Sequence, residues 1–271
     1  MRLAILCDIH GNLPAFESAI AHAKQQCPDL MIIAGDIVTG SPDSLACWQL
    51  ALTLNCPILR GNQERYVCEL ATDQALPLWH TLQFAPVQWT RAQLGDELSA
   101  SFADLSLSLR PETGSDLVVV HASLRNDTDN IWSYTPANEI TPMFPDIAER
   151  HIIRGHNHFG DIRFWGERQI ITAGSVGLPM DGTNTAQYLL LDRQRSIWHA
   201  THHALPYDHD AVIARFHDTN YLRETGPIGR LCFRELVTGT PHLVPFLRLY
   251  PRWRDENLGL DEAVQRFFQR Y

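Results

Sequence analysis

Apolar runs alternate with amphipathic stretches along the first third of the chain. Residues 2–7 form an apolar run that stops at a polar turn, and the apolar residues after it recur at helical spacing. The same order repeats with apolar runs at 30–35 and 57–62 and with helical stretches near 43–54 and from Gln63. Strands that alternate with helices in this way predict an α/β fold with a parallel sheet.

The pattern changes after the third repeat. Residues 73–114 carry apolar positions at helical spacing with no strand signal of comparable strength, which predicts a helical cap insertion. The strand-like runs that follow predict a second sheet, and they lie at 116–121, 151–156, 168–174 and 186–192.

The last part of the chain is expected to add helices to this core. Residues 206–223 have a helical pattern, a Gly-Pro-Ile-Gly turn follows at 226–229, and the tail ends in an amphipathic pattern. We therefore predict a C-terminal accessory segment at 225–271. With the cap and this segment, the whole chain, 1–271, is expected to form a single domain.

The composition is that of an ordinary globular protein, with 45% hydrophobic and 20% charged residues and no low-complexity tract. The formal net charge of −9 argues against duplex nucleic acid as a partner, because phosphate contacts need clustered Lys and Arg. Asp8 interrupts the first apolar run before it could serve as a signal peptide or a membrane span. The six cysteines show neither CxxC nor disulfide-like spacing. We expect a cytoplasmic protein without membrane contact.

Side chains able to bind a metal ion follow most of the predicted strands. Functional sites in open α/β sheets form at the carboxyl ends of the strands, so these side chains are expected to share one site. A single aspartate after a strand is more often a turn or cap residue, so the prediction depends on the whole set. Its members are Asp8, His10, Asp36, Asn62, His121, His156 and His158.

This set of ligands indicates a kind of metal ion. Carboxylate, imidazole and amide oxygen together suit borderline divalent ions such as Mn, Fe, Zn or Ni, and no cysteine belongs to the set. Two such ions about 3.5–4 Å apart can bind phosphate oxygens and lower the pKa of a water between them. Because His156 and His158 are two residues apart, a turn at Gly155 and Asn157 is needed for both to face one site. The expected cofactors are two divalent metal ions.

Five motifs occur in a fixed order: Asp8-Ile9-His10, Gly35-Asp36, Gly61-Asn62, His121 and Gly155-His156-Asn157-His158. In order, spacing and strand context they resemble the calcineurin-like metallophosphoesterases over about residues 1–192. The segments DIHGN, LRGN and AGSVGLPMDG look most like the small bacterial and archaeal phosphodiesterases of that family. The resemblance implies a four-layer αββα sandwich with two mixed sheets, and a hydrolase that attacks phosphoesters with a hydroxide bridging two metal ions.

The resemblance also implies how the ligands are shared. One ion would be held by Asp8, His10, Asp36 and His158, and the other by Asp36, Asn62, His121 and His156. Asp36 would then bridge the two ions.

Gln63 departs from the pattern of many family members, which have a histidine directly after the asparagine. That histidine can protonate the leaving oxygen, whereas an amide cannot, so general acid help of about 100- to 10,000-fold is absent from this position. We count Asp36, Asn62 and Gln63 as the predicted catalytic residues. The favoured substrates are phosphodiesters and nucleotide phosphoanhydrides, whose leaving groups are already acidic.

Substrate contacts are expected from residues beside the ligands. Asn12 lies in the first loop, Arg60 and Glu64 flank the third, and Arg125 follows the strand that carries His121. A guanidinium can pair with phosphate, although surface ion pairs and turn formation are the alternatives for these residues. The expected partner is a small phosphorylated or nucleotide substrate.

Two other functions stay open as alternatives. A phosphomonoesterase or protein phosphatase would differ from the first hypothesis only in its substrate. A metal-binding scaffold for protein interactions is the second, because a retromer subunit of the eukaryotic sorting machinery resembles this fold. Seven convergent metal ligands favour the enzyme, since a scaffold has no physical need for them. A homo-oligomer is also left open.

Overall fold

The computed structural model describes residues 1–112, 116–195 and 197–270. Residues 113 and 114 of the predicted cap and residue 271 of the predicted accessory segment lie outside the described part of the chain. The elements below are those of the described residues.

The first sheet is mixed and joins the N-terminal strands to two late ones. Strand β1 (Arg2–Leu6) pairs in parallel with β2 (Leu30–Ile33) and antiparallel with β8 (Ala186–Gln194). Strand β9 (Ile197–Leu205) pairs antiparallel with β8, so the order is β2-β1-β8-β9. β1 is therefore central, and its carboxyl end opens beside that of β2.

The second sheet is also mixed. Strands β4 (Leu117–Val120), β5 (His151–Arg154) and β7 (Arg168–Ala173) pair in parallel, in that order. Two antiparallel strands form its edges: β3 (Ser108–Leu109) beside β4, and β6 (Gly160–Trp165) beside β7. The parallel pairs place the carboxyl ends of β4 and β5 side by side.

Alternating side chains of β1 explain how the layers pack, because successive residues of a strand face opposite sides of the sheet. Leu3 and Ile5 belong to the core between the two sheets, where Val119 of the second sheet also lies. Ala4 and Leu6 instead pack against helices on the outer side. The two sheets thus lie face to face, with helices outside.

Helices cover both outer faces. The first sheet is covered by α1 (Leu13–Gln25), α2 (Ser44–Thr53), α3 (Asn62–Glu69), α4 (Ala85–Leu94) and α5 (Asp96–Ser101). The short helix α6 (Ala137–Ile140) covers the second sheet, where Ile140 packs against Val118 and Ile152. The predicted α/β fold, a four-layer αββα sandwich with two mixed sheets, is confirmed.

The C-terminal part consists of α7 (His209–Asp218), α8 (Tyr221–Thr238), α9 (Leu243–Asp255) and α10 (Leu260–Arg270). The last three helices share an apolar cluster centred on Phe246 and Trp253. The turn predicted at 226–229 lies within α8, where Gly226 kinks the helix with φ 58° and ψ −135°. Trp89 of α4 meets Tyr221 of α8 edge-on at 5.0 Å between ring centroids, so cap and tail are in contact.

Four elements differ from the sequence-based prediction. The strand predicted at 186–192 is present as β8, but it pairs with β1 in the first sheet and does not belong to the second sheet. The run at 57–62 does not form a strand, and only the isolated bridges Ile33 to Ile58 and Leu59 to Ser106 occur there. The predicted cap is helical through residues 77–104, but it ends in the edge strand β3. Strand β6 was not predicted. Within the described ranges, no helix has the length and apolar character needed to cross a membrane.

Candidate metal centre

The ends of β1 and β5 bring three predicted ligands together. Asp8 and His10 follow β1, and His158 follows β5. One possible ligand atom from each of the three lies within 4.8 Å of the others. Asp8 is fully buried, and its carboxylate accepts the backbone N–H of His156 at 3.0 Å. This group is called the first cluster below.

Two histidines of the first cluster are held by their Nδ1 atoms. Nδ1 of His10 lies 3.0 Å from the carbonyl of Thr39, and Nδ1 of His158 lies 2.6 Å from that of Leu178. A carbonyl only accepts, so each Nδ1 carries the proton and each Nε2 of a neutral ring presents a lone pair. This is how metal-binding histidines are usually oriented.

The two Nε2 atoms lie only 3.1 Å apart. Burial, followed by the proximity of His158, lowers the pKa of His10 to about 4, so that ring is neutral near pH 7. The Asp36 carboxylate lies 3.7 Å from Nε2 of His10 and the Asp8 carboxylate 3.6 Å from Nε2 of His158, so one cation could be bound by both nitrogens and by carboxylate oxygen. The first cluster therefore fits a divalent metal ion.

The second cluster consists of Asp36 after β2, His121 after β4 and His156 after β5, again with possible ligand atoms within 4.8 Å. Nδ1 of His121 lies 2.8 Å from the carbonyl of Ala34, and its Nε2 lies 3.1 Å from Oδ1 of Asn62 and 3.5 Å from Oδ2 of Asp36. The Asp36 carboxylate thus reaches this cluster. The same Oδ2 lies 3.7 Å from Nε2 of His10 in the first cluster.

The charges of the second cluster are strongly coupled. Burial lowers the pKa of His121, but the Asp36 carboxylate outweighs it and raises that pKa to about 10. Burial likewise opposes the effect of His121 on Asp36, yet the pKa of Asp36 falls. The pKa of His156 lies well below its ordinary value because of burial and the nearby His121. Asp36 is therefore anionic and His156 neutral, and together they offer a carboxylate oxygen and a ring nitrogen to a cation.

Five of the predicted ligands have left-handed backbone conformations. The φ angles are 55° at Asp8, 51° at His10, 54° at Asp36, 69° at His156 and 62° at His158. Such values are uncommon for residues other than glycine and are found at sites where surrounding structure enforces them. They let side chains that are two residues apart turn into the same space.

Glu64 holds the loop that carries Asp36. The fully buried Glu64 carboxylate accepts the backbone N–H groups of Asp36 and Gly61 with Oε2, at 2.8 and 2.9 Å. Its Oε1 accepts those of Ile37 and Val38, at 2.8 and 3.3 Å. Burial, with a contribution from Asp36, raises the pKa of Glu64 to about 7. Both oxygens of Glu64 thus bind the backbone, and its predicted substrate contact stays a prediction.

The loop after β7 supports the first cluster through hydrogen bonds to Asp8 and His158. The Ser175 hydroxyl donates to the carbonyl of Asp8 at 2.7 Å and accepts the N–H of Leu178 at 2.9 Å. Leu178 in turn orients His158. A β-carbon on Gly177 would lie 1.7 Å from the carbonyl oxygen of Ile9, so only glycine fits there.

Arg154 is fully buried at the end of β5 and connects the loop after β4 with the loop after β5. Its Nε donates to the carbonyl of Ala122 at 2.8 Å, Nη2 to the carbonyl of Asp129 at 2.7 Å, and Nη1 to Oδ1 of Asn157 at 2.7 Å. Burial lowers its pKa to about 10. Asn157 lies between two predicted ligands, so Arg154 fixes the turn that the sequence required. Neither this role nor that of Ser175 was predicted.

The other predicted site residues have varied surroundings. Asn12 is fully buried: its Oδ1 caps α1 through the N–H of Ala15, and its Nδ2 donates to the carbonyl of Gly177. The side chain of Asn12 thus serves the fold, and its predicted substrate contact stays a prediction. The N–H of Gln63 donates to Oδ1 of Asp36 at 2.8 Å, and its side-chain Oε1 is buried without a partner among the described residues. Arg60 and Arg125 line a pocket beside His121.

Comparison with known proteins agrees with this fold. The sequence profile of the calcineurin-like phosphoesterase superfamily domain matches residues 1–196, and the chain belongs to that superfamily. An uncharacterised protein of Methanocaldococcus jannaschii is 25% identical over 214 residues, which are 71% of this chain and 83% of that protein.

Two crystal structures share the fold. A metallophosphoesterase from Sphaerobacter thermophilus has a TM-score of 0.67 at 23% identity, covering 89% of this chain and 100% of that one. A hypothetical protein from Pyrococcus horikoshii has a TM-score of 0.69 at 18% identity, covering 89% of this chain and 99% of that one. In both, the likeness extends beyond residue 196 into the C-terminal part.

Proposed function

We propose that this chain is a metal-dependent phosphoester hydrolase that uses two divalent ions. The observation that carries the proposal is the pair of clusters at the strand ends, with imidazoles held by backbone carbonyls so that their Nε2 atoms converge. Such an arrangement is what a metal centre requires, and a buried group of histidines and carboxylates without a cation is electrostatically poor.

The two clusters suggest how the ligands are divided. Asp8, His10 and His158 would hold one ion, and His121, His156 and Asn62 the other. Asp36 would bridge them, because its Oδ2 lies within 4 Å of Nε2 in both His10 and His121. Nitrogen and oxygen ligands without thiolate suit Mn, Fe, Zn or Ni.

When bound, such a pair of ions supplies Lewis acidity toward phosphate oxygens and activates water for in-line attack. The protein contributes the orientation of the ligands. Glu64 fixes the Asp36 loop, Ser175 fixes Asp8, and Arg154 fixes the turn between His156 and His158. These contacts keep the ligands in place before substrate arrives, which is the main requirement for electrostatic stabilisation of a transition state.

Gln63 supports a preference for acidic leaving groups. It occupies the position beside Asn62 where a proton donor would be useful, and an amide cannot deliver a proton. Its buried Oε1 has no hydrogen-bond partner in the described structure, so the fold does not use this atom. Phosphodiesters of acidic alcohols and phosphoanhydrides are therefore favoured over alkyl monoesters.

Hydrolysis of bis-p-nitrophenyl phosphate and p-nitrophenyl phosphate with added Mn²⁺ tests this function. We expect faster turnover of the diester and a loss of more than about 100-fold in the Asp36→Asn variant, because the bridging ligand is weakened. Asp146→Asn is a matched control, since Asp146 is an exposed aspartate that also has a positive φ, of 54°.

Each alternative has its own outcome in this experiment. Equal rates for the wild type and Asp36→Asn would contradict catalysis at this centre and favour the scaffold. A metal-dependent rate that is higher on the monoester would instead make the chain a phosphomonoesterase.

A further inference from the structure

A pocket of about 230 Å³ opens beside the second cluster. His121 contributes to its wall, and three arginines surround it: Arg60, Arg65 and Arg125. The volume is below the roughly 300–1,000 Å³ that drug-sized ligands occupy. It is enough for a compact group such as a phosphate, but not for a whole nucleotide.

Two of the three arginines already have carboxylate partners. Arg65 binds both oxygens of Asp127, at 2.6 and 2.9 Å, and lies 3.4 Å from Glu69. Arg125 binds both oxygens of Asp129, at 3.0 and 2.5 Å. Their charges are therefore largely neutralised within the protein.

Arg60 differs from both. Among the residues that the structure describes, no carboxylate lies within ion-pair distance of its guanidinium, and its Nε is buried without a hydrogen-bond partner. An arginine remains charged under all ordinary conditions, and an unsatisfied buried donor is unfavourable. The pocket is thus lined by an arginine whose positive charge has no carboxylate partner among the described residues.

We propose that this pocket binds a second phosphate of the substrate, beside the phosphate that reacts. The proposal rests on the hydrolase function above. His121 belongs both to the second cluster and to the pocket wall, so a group in the pocket adjoins the metal centre. A guanidinium matches the geometry of phosphate oxygens. Of the two substrate classes left open, phosphoanhydrides fit the pocket because they carry adjacent phosphates, whereas a simple diester carries one.

Calorimetric titration with two probes tests the proposal without turnover. Imidodiphosphate, which resists hydrolysis, carries two linked phosphate groups, and inorganic phosphate carries one. We expect the Mn²⁺-loaded protein to bind imidodiphosphate more tightly than phosphate. The ratio of the phosphate Kd to the imidodiphosphate Kd should fall about tenfold in Arg60→Met. Comparing ratios removes the affinity that both probes have for the metal ions.

Arg215→Gln is the matched control, because Arg215 lines another pocket and is neutralised by Asp43. Its ratio should equal that of the wild type. Leu107→Glu provides a second test that does not disturb the core, since Leu107 is 56% exposed and lines the same pocket as Arg60. The new carboxylate would neutralise Arg60 and lower the ratio as well.

A ratio that is unchanged in both Arg60→Met and Leu107→Glu would overturn the proposed subsite, as would equal affinities for the two probes in the wild type. Failure of the hydrolase function gives a different result. In that case the ratios would respond to Arg60 while no Mn²⁺-dependent hydrolysis of any phosphoester occurred.

Discussion

Replacing Glu64 by glutamine exchanges one carboxylate oxygen for an NH₂ group at the centre of the Asp36 loop. The wild-type oxygens accept from two pairs of backbone donors, Asp36 with Gly61 and Ile37 with Val38. An amide has only one oxygen, so its NH₂ group must face one of the pairs whichever way it turns. Two buried donors then lose their acceptor.

The expected loss of stability follows from these two donors. Each buried donor without an acceptor costs about 1–3 kcal/mol, so Glu64→Gln should lower the free energy of unfolding by about 2–6 kcal/mol. The displaced loop should also weaken Mn²⁺ binding by about 10- to 100-fold, as expected when a group that supports a ligand is lost.

Urea denaturation at pH 8 measures the first effect, because the Glu64 pKa of about 7 leaves the wild-type side chain mostly ionised there. Glu69→Gln is the matched control on the same helix. Its carboxylate lies 3.4 Å from Arg65, four residues earlier, and loss of this partly exposed pair should lower the free energy of unfolding by about 0.3–0.5 kcal/mol. A Glu64→Gln loss as small as that of Glu69→Gln would refute the reasoning.

Three further substitutions have defined expectations. Gly177→Ala should lower the free energy of unfolding by about 3 kcal/mol or more in thermal denaturation, since its β-carbon would lie 1.7 Å from the carbonyl oxygen of Ile9. Gly182→Ala is the control, and it should lower that free energy by about 1–2 kcal/mol because there is free space around Gly182 but its φ is +82°. Gln63→His should raise the rate on phenyl esters by up to about 100-fold more than on p-nitrophenyl esters, because only the poor leaving group needs a proton; equal gains would contradict this. Phe246→Ala should lower the free energy of unfolding in urea by about 3–5 kcal/mol, since the ring is fully buried in the C-terminal cluster. A loss below about 1 kcal/mol would contradict that packing.

The sequence was sufficient to predict the strands that carry the site. Runs such as those of β1 and β4 are apolar on both faces because each lies between two packed layers, so both ends of each run are sharp. The polar residue that follows is then conspicuous. This is why the sequence alone could predict that Asp8 and His121 face one site.

The contacts that support the site were not predictable in the same way. Arg154 lies in an apolar run where an arginine is normally read as exposed, yet its partners are carbonyl oxygens 25 and 32 residues away. Glu64 binds four backbone N–H groups, and backbone donors leave no mark on the sequence. Asn12 caps α1, a common role for asparagine that was not among the alternatives considered for it from the sequence.

Weak strand signals account for the missed elements. β6 is an edge strand with alternating exposure, so its apolar residues do not form a run. β3 has only two residues, and it pairs with β4 through long-range contacts that no local pattern indicates. The run at 57–62 begins with a proline and makes only single bridges, so it lacks the continuous hydrogen bonding of a strand.

Anomalous diffraction from crystals grown with Mn²⁺ would test the central proposal most directly. We predict two anomalous peaks about 3.5–4 Å apart, both bound by the Asp36 carboxylate, with Asp8, His10 and His158 at one of them and His121 at the other. One peak alone, or two peaks that do not share Asp36, would contradict it.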